Sequence, residues 1–178
     1  MAISTQETHW VLRAQCQDRE ATELLLRSVQ PSLGRYLTGL VGPLHADDVL
    51  QEVLIMICRK VGWLRTPELF RPWAFRIASR IGFRHLKRER QRPEQAEDEA
   101  FFDNTPAPES RPPDTLLDDL LASGRASPAS RAVLVLHFQE EMTLAEVAAI
   151  LELPLGTVKS RLAYGLAALR REIGPKGA

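Results

Sequence analysis

Apolar residues recur every three or four positions along most of this chain, the spacing of one face of an α-helix. Ala21, Leu24, Leu25 and Val29 form such a stripe behind Asp18, a good helix-capping residue, so a first helix is expected from there. Pro31 predicts an interruption, with a second piece over 32–41 and a turn at "GPLH". Asp47 or Asp48 then opens a strong helix carrying Val49, Val53, Met56, Ile57 and Val61. "GWLRTPELFR" reads as a loop. Another helix begins near Phe70 or Arg71, with Pro72 suited to its first turn and Trp73, Ile77 and Ile81 on one stripe. Arg76, Arg80, Arg84 and Arg88 fall four apart and form a second stripe on another face. Strand signals are weak: β-branched residues do not alternate, and there is no Asn-Gly or Asp-Gly hairpin turn.

Helical signals resume after a break. Residues 93–113 hold five of the twelve prolines and few aliphatics, which predicts a linker. Phe101 and Phe102 within it are candidates for docking. Asp114 caps "TLLDDLLA", and Ser127 and Pro128 suit the cap and first position of the next helix. Thr143 and Glu146 have capping-box spacing ahead of Leu144, Val147, Ala148 and Leu151. After the short turn "ELPLG", a last helix carries Val158, Leu162, Leu169 and Ile173 on its core side and ends at "GPKG". The pattern predicts an all-α fold of two small helical domains, 1–92 and 114–178, joined by an acidic, proline-rich linker at 93–113.

Bulk composition adds limits. The 178 residues are 44% hydrophobic and 26% charged, ordinary globular values. No apolar run approaches the ~20 residues of a membrane span. The N-terminus lacks the basic start and apolar core of a signal peptide, so the expected location is the cytoplasm. Cys16 and Cys58 alone make neither a disulfide framework nor a metal cluster, and are expected as reduced thiols inside or beside helices. The formal net charge of zero is an average: Arg71 to Arg92 has eight Lys/Arg and one Glu, whereas Pro93 to Ser123 has nine Asp/Glu and one Arg.

The chemistry these residues offer is binding. From Thr143 to Ile173 two helices flank a tight turn, and the second places Thr157, Lys159, Ser160, Arg161 and Tyr164 away from its core stripe. That is a helix-turn-helix arrangement, whose second helix reads base edges in the major groove. Lys and Arg bond guanine edges or phosphates, Ser and Thr either. An ordinary helical hairpin with a solvated face would show the same pattern. The arginine stripe, with Lys87, Arg90 and Arg92, would attract a polyanion. Acidic partners at helical spacing are almost absent, so the stripe repels itself unless something neutralises it. Trp63, Phe70, Trp73, Phe75 and Phe83 lie nearby, and cations beside rings suit single-stranded DNA, although most of these rings are expected in the core. No Ser/His/Asp set, metal-ligand spacing or phosphate-cradling glycine loop appears, and His9, His45, His85 and His137 are isolated from one another in sequence, so the chain reads as no enzyme.

Three segments in order, "HADDVLQEVLIMICRKV", "FRPWAFRIASRIGFRHLKRERQR" and "SPASRAVLVLHFQEEMTLAEVAAILELPLGTVKSRL", resemble the conserved regions of extracytoplasmic-function sigma factors, small bacterial initiation factors. The resemblance runs from about Asp18 to Ile173, and "GTVKSRL" is its most specific piece. It implies no cofactor, with core RNA polymerase, promoter DNA and an anti-sigma factor as partners. It implies polymerase binding through Asp47, Asp48, Gln51 and Glu52. Capture of the −10 strand would fall to Trp63, Arg65, Arg71, Trp73, Arg76, Arg80, Arg84, Lys87 and Arg88. Reading of the −35 duplex would fall to Thr157, Lys159, Ser160, Arg161 and Tyr164. The acidic linker would thread toward the polymerase RNA channel. Two departures stand out. Ala163, Tyr164, Leu166 and Ala167 stand where the family usually has cations, and Gly165 mid-helix should cost ~1 kcal/mol; fewer phosphate contacts predict weaker −35 binding and a shallower salt dependence. Arg80 and His85 replace the usual Asn and Asp. Two other readings stay open: a sigma mimic that titrates an anti-sigma factor, and a stand-alone helix-turn-helix regulator.

Overall fold

A computed structural model describes residues 5–91 and 126–173; the 93–113 segment, the Asp114 cap and "TLLDDLLA" lie outside them. Seven α-helices are present among the described residues, with no strand: α1 Thr5–Gln15, α2 Arg19–Val41, α3 Pro43–Lys60, α4 Phe70–Gln91, α5 Pro128–Leu134, α6 Leu144–Leu151 and α7 Leu155–Ile173. Short 3₁₀ turns at Val61–Trp63 and Pro67–Leu69 shape the segment read as a loop, and α5 widens into a π-helical stretch over Val135–Gln139.

The N-terminal half differs from the sequence expectation in three places. α1 precedes the first expected helix. It buries only Glu7, Val11 and Ala14, one of them charged, so its inward face has no apolar stripe to read. α2 runs through Pro31 without a break. A mid-helix proline removes a hydrogen bond and crowds the preceding turn, but the buried face keeps its phase across it: Leu25, Val29, Leu33, Tyr36, Leu37 and Leu40 are all in the core. Tertiary burial on both sides outweighs the local penalty. α3 starts at Pro43, not at Asp47 or Asp48. Gly42, at φ 87°, turns the chain between the helices, and Pro43 takes the first helical position where no amide donor is required.

Other local signals act as expected. Asp18 caps α2 by accepting from the Ala21 amide at 3.1 Å. Ser127 caps α5 through the Ser130 amide, and Thr143 and Glu146 form both halves of a capping box. In α4 the buried face is Phe70, Ala74, Ala78, Ile81 and Gly82, whereas Trp73 and Ile77 are half-buried at its edge. A Cβ on Gly82 would lie 2.6 Å from Leu40 Cδ2, so the missing side chain lets α4 approach α2. Beside it the buried Ser79 hydroxyl donates to the Phe75 carbonyl at 2.8 Å, so the Tyr36 hydroxyl, 2.7 Å away, donates to Ser79.

α2, α3 and α4 form the N-terminal body, with α1 laid across α2, and α5 to α7 form the C-terminal one. The two bodies touch: α5 packs on α2 and α6 on α4, and one apolar core runs from Leu33 and Phe75 through Val133 and Leu136 to Val147 and Val158. No helix among the described residues is long and apolar enough to cross a membrane.

Candidate nucleic-acid interface

The 3₁₀ turn at Val61–Trp63 is tied down from α1. Gln15 Nε2 donates to the carbonyls of Val61 at 3.2 Å and Leu64 at 2.8 Å. With Val61 and Leu64 buried on either side, Trp63 is pushed outward and is 85% exposed. Trp63, Leu64, Arg65, Thr66, Leu69, Pro72, Trp73 and Arg76 line an open cavity of about 270 Å³. Trp73 leans against Phe70, ring centroids 6.2 Å apart. Arg76 Nε is buried in this wall without a hydrogen-bond partner. An indole face, a second indole and guanidinium groups around an open hollow can stack a base and meet its phosphate.

The arginine stripe of α4 is not left to repel itself. Its counter-charges come from elsewhere in the fold, beyond the reach of the i±4 rule. Arg84 pairs with Glu52 of α3, and Arg80 Nη2 meets Glu152 Oε1 at 2.5 Å from the turn after α6. Arg76 donates to the Ala149 carbonyl at 3.1 Å. Lys87 and Arg88 are exposed further along. His85, on the same helix, packs against His45 with ring centroids 4.8 Å apart, so two histidines distant in sequence meet.

Arg71 stands apart from the other candidates. Its Nε and Nη2 make three contacts of 2.7–2.9 Å with the Glu7 carboxylate, and Nη2 also reaches the Ser28 carbonyl at 3.3 Å. Expected at DNA, this guanidinium instead clamps α1 and α2 onto α4. Sequence reasoning had no partner to offer, because α1 was not foreseen.

Asp47, Asp48 and Gln51 lie exposed on one face of α3 with Glu52, the last engaged by Arg84. On α7, Lys159, Ser160 and Tyr164 are exposed, with Thr157 and Arg161 half-buried. Ser160 Oγ donates to the Gly156 carbonyl at 3.0 Å. Gly165 has a packing role: a Cβ there would lie 2.8 Å from Leu134 Cδ1 and 3.3 Å from Ser130 Cβ. Leu166 and Ala167 are half-buried as well, so two of the four positions that lack cations belong to the contact side of α7, while Ala163 and Tyr164 face outward. Among the described residues, no group of three or more His, Cys, Asp or Glu is placed to hold a metal ion.

Known proteins share this arrangement. The family described as Sigma-70 region 2 matches residues 25–92, and Sigma-70, region 4 matches 127–171. The RNA polymerase sigma-H factor of Pseudomonas aeruginosa is 29% identical over 188 residues, covering 98% of this chain and 97% of that one. The ECF RNA polymerase sigma-E factor of Escherichia coli K12 is 27% identical over 187 residues, covering 97% and 98%. Among solved structures, CnrH in complex with the cytosolic domain of CnrY has a TM-score of 0.68 at 21% identity, covering 97% and 99%. The sigma factor RpoE of Bartonella quintana, crystallised with the anti-sigma factor NepR, has a TM-score of 0.67 at 23% identity, covering 87% and 98%. At such identities these two establish the fold alone. With both conserved regions in order, and curated relatives matched along nearly their whole length, the chain belongs to the extracytoplasmic-function branch of the sigma-70 family, and its work is transcription initiation, not enzymatic catalysis.

Proposed function

We propose how that work is divided over the residues of this chain. A region 2 body ending at 92 and a region 4 body starting at 114 are joined by the acidic segment between them. The exposed face of α3, with Asp47, Asp48, Gln51 and Glu52, docks on core RNA polymerase. The cavity beneath Trp63 receives a base from the −10 non-template strand, Trp73 and Arg65 flanking it. Arg76, Arg80, Arg84, Lys87 and Arg88 follow the strand's phosphates. The exposed N-terminal half of α7 enters the major groove at −35 through Thr157, Lys159, Ser160, Arg161 and Tyr164. The protein acts in the cytoplasm, and an anti-sigma factor holds it in reserve.

The observation that carries this reading is the cavity of about 270 Å³ walled by two tryptophans and two arginines, one with an unpartnered buried donor. Strand opening is then binding work: unpaired bases are trapped as they leave the duplex, each stacked ring contributing ~1–3 kcal/mol. The test is run-off transcription with sigma-free core polymerase on a library of upstream regions, comparing the native chain with Trp63→Ala. The native chain should yield specific transcripts. The variant should still bind core but open promoters roughly five- to 150-fold less, the loss expected for one stacked base at ~1–3 kcal/mol. A variant as active as the native chain overturns the assignment of the cavity.

A further inference from the structure

Two arginines of the strand-binding face are already occupied. The Ala149 carbonyl that receives Arg76 belongs to the last turn of α6, the negative end of that helix. Glu152, the partner of Arg80, follows at once and holds a left-handed backbone, φ 57°, rare outside glycine. The hydrogen bond from Arg80 keeps its carboxyl below the usual carboxylate range. To α4 this corner presents a carboxylate and carbonyl oxygens at the C-terminal end of a helix. These are the anionic and acceptor groups that a DNA backbone would present.

The contact has a broad base. Arg131 donates to the final carbonyls of α2, Gly39 at 2.6 Å and Leu40 at 3.3 Å, and to Ala126 at 3.0 Å. Arg35 pairs at 3.1 Å with Glu140, whose side chain is 5% exposed. A Cβ on Gly39 would lie 3.0 Å from Val135 Cγ2, so the Val135 side chain packs directly on the α2 backbone there. Lys159, Ser160 and Tyr164 meanwhile stay exposed on α7.

We infer that the C-terminal body competes with single-stranded DNA for Arg76 and Arg80: the −10 strand is captured only after α6 and the Glu152 turn leave α4, while the duplex-reading face of α7 is open throughout. This rests on the reading of α4 as the strand-binding helix. It sets an order of events, with duplex recognition first and strand capture second. The exposed Arg80–Glu152 pair contributes little holding strength by itself. The hold comes from Arg131, Glu140 and the Gly39–Val135 approach, whereas the α6 corner decides what is hidden.

A reversible lock tests the inference. Gly39→Cys with Val135→Cys, in the full chain carrying Cys16→Ser and Cys58→Ser, places two thiols across this approach, where a Cβ on Gly39 would lie 3.0 Å from Val135 Cγ2; oxidation joins them by a disulfide, which spans Cβ atoms ~3.5–4.5 Å apart. Anisotropy titrations would follow a fluorescein-labelled mixed-sequence single-stranded oligonucleotide, and the matching duplex, with oxidised and reduced protein. The locked form should bind the single strand roughly tenfold more weakly than the reduced form, with duplex affinity changed less than about twofold, since two phosphate-binding cations are withheld from one ligand only. Equal single-strand affinity in the two states overturns the inference. Glu152→Gln, which leaves the core untouched, supplies an independent arm: single-strand affinity should rise about threefold at low salt, and no rise counts against competition. Arg76→Gln with Arg80→Gln separates the two levels of the argument. If it leaves single-strand binding unchanged, the reading of α4 fails; if it weakens binding while the lock does not, only the competition fails.

Discussion

Replacing Arg71 by Ala should destabilise the protein without removing a DNA contact. The side chain makes four close polar contacts, three to Glu7 and one to the Ser28 carbonyl, and it is 26% exposed against 10% for Glu7. Removal takes the guanidinium away from the Glu7 carboxylate in a site nearly closed to water. Breaking a fully buried pair costs about 3–5 kcal/mol. Partial access for water at Arg71 lowers that to roughly 2–3 kcal/mol here, with the lost bond to a carbonyl included. For a chain of this size each kcal/mol moves Tm by about 2–4 °C, so the expected loss is roughly 4–12 °C. Urea melts at pH 7 read the same quantity with fewer assumptions. The decisive comparison is the double variant Glu7→Leu with Arg71→Met, in which both charges are gone and the stems still pack. It should recover most of the loss, because an apolar replacement of a buried pair is often neutral. Folded Arg71→Ala protein, assayed well below its Tm, should bind single-stranded DNA within about twofold of the native chain, since no phosphate-binding cation is removed. A single variant that melts within 0.5 kcal/mol of native, roughly the scatter of surface substitutions, would refute the clamp. So would a double variant no more stable than the single one.

Further outcomes follow from the same contacts. Gly165→Ala removes a helix penalty of ~1 kcal/mol but pushes a Cβ to 2.8 Å from buried Leu134; overpacking of about 1–3 kcal/mol should win, and urea melts that show a net gain would contradict the packing role. Tyr36→Phe leaves Ser79 without its donor in the core, so the midpoint should fall by about 0.5–1.5 kcal/mol, an effect that Ser79→Ala in the same chain should largely absorb in a double-mutant cycle. Three carboxyls are held below their ordinary values: Asp18 by the Ala21 amide and then Arg13, Glu146 by the Thr143 amide and hydroxyl, and Glu152 by Arg80. A lowered folded pKa gives stability that is present above the unfolded values of 3.8 and 4.5 and lost as pH falls through the folded ones. Urea midpoints should therefore decline as pH drops below about 4.5, more steeply than in a chain carrying Asp18→Asn, Glu146→Gln and Glu152→Gln; parallel curves would argue against these bonds.

Much of the fold was legible because the C-terminal half uses strong local signals. Ser127, Pro128, Thr143 and Glu146 each act where spacing placed them. The errors fall where local rules were overruled by packing. Pro31 looked like a stop, yet the apolar phase of α2 continues across it. α1 was missed because its inward face includes Glu7, whose partner lies in α4, 64 residues away. The arginine stripe was visible, but its neutralisation was not, since Glu52 approaches from α3 and Glu152 from the turn after α6. Gly165 read as a defect in the recognition helix because nothing in a linear pattern reports that Leu134 lies beneath it.

The amide of Gln15 links two parts of the molecule that a match to conserved regions treats separately. Region 2 as matched begins at residue 25, so α1 lies upstream of it. Yet α1 moors the turn that thrusts Trp63 into solvent, through bonds to both flanking carbonyls. An expression fragment of region 2 trimmed to the conserved boundary would keep every candidate contact to the −10 strand and lose the brace beneath the most exposed of them. Such a fragment would be a sigma domain whose leading tryptophan swings on an unanchored tether, and weak melting activity from it would report the missing strut, not a weak promoter.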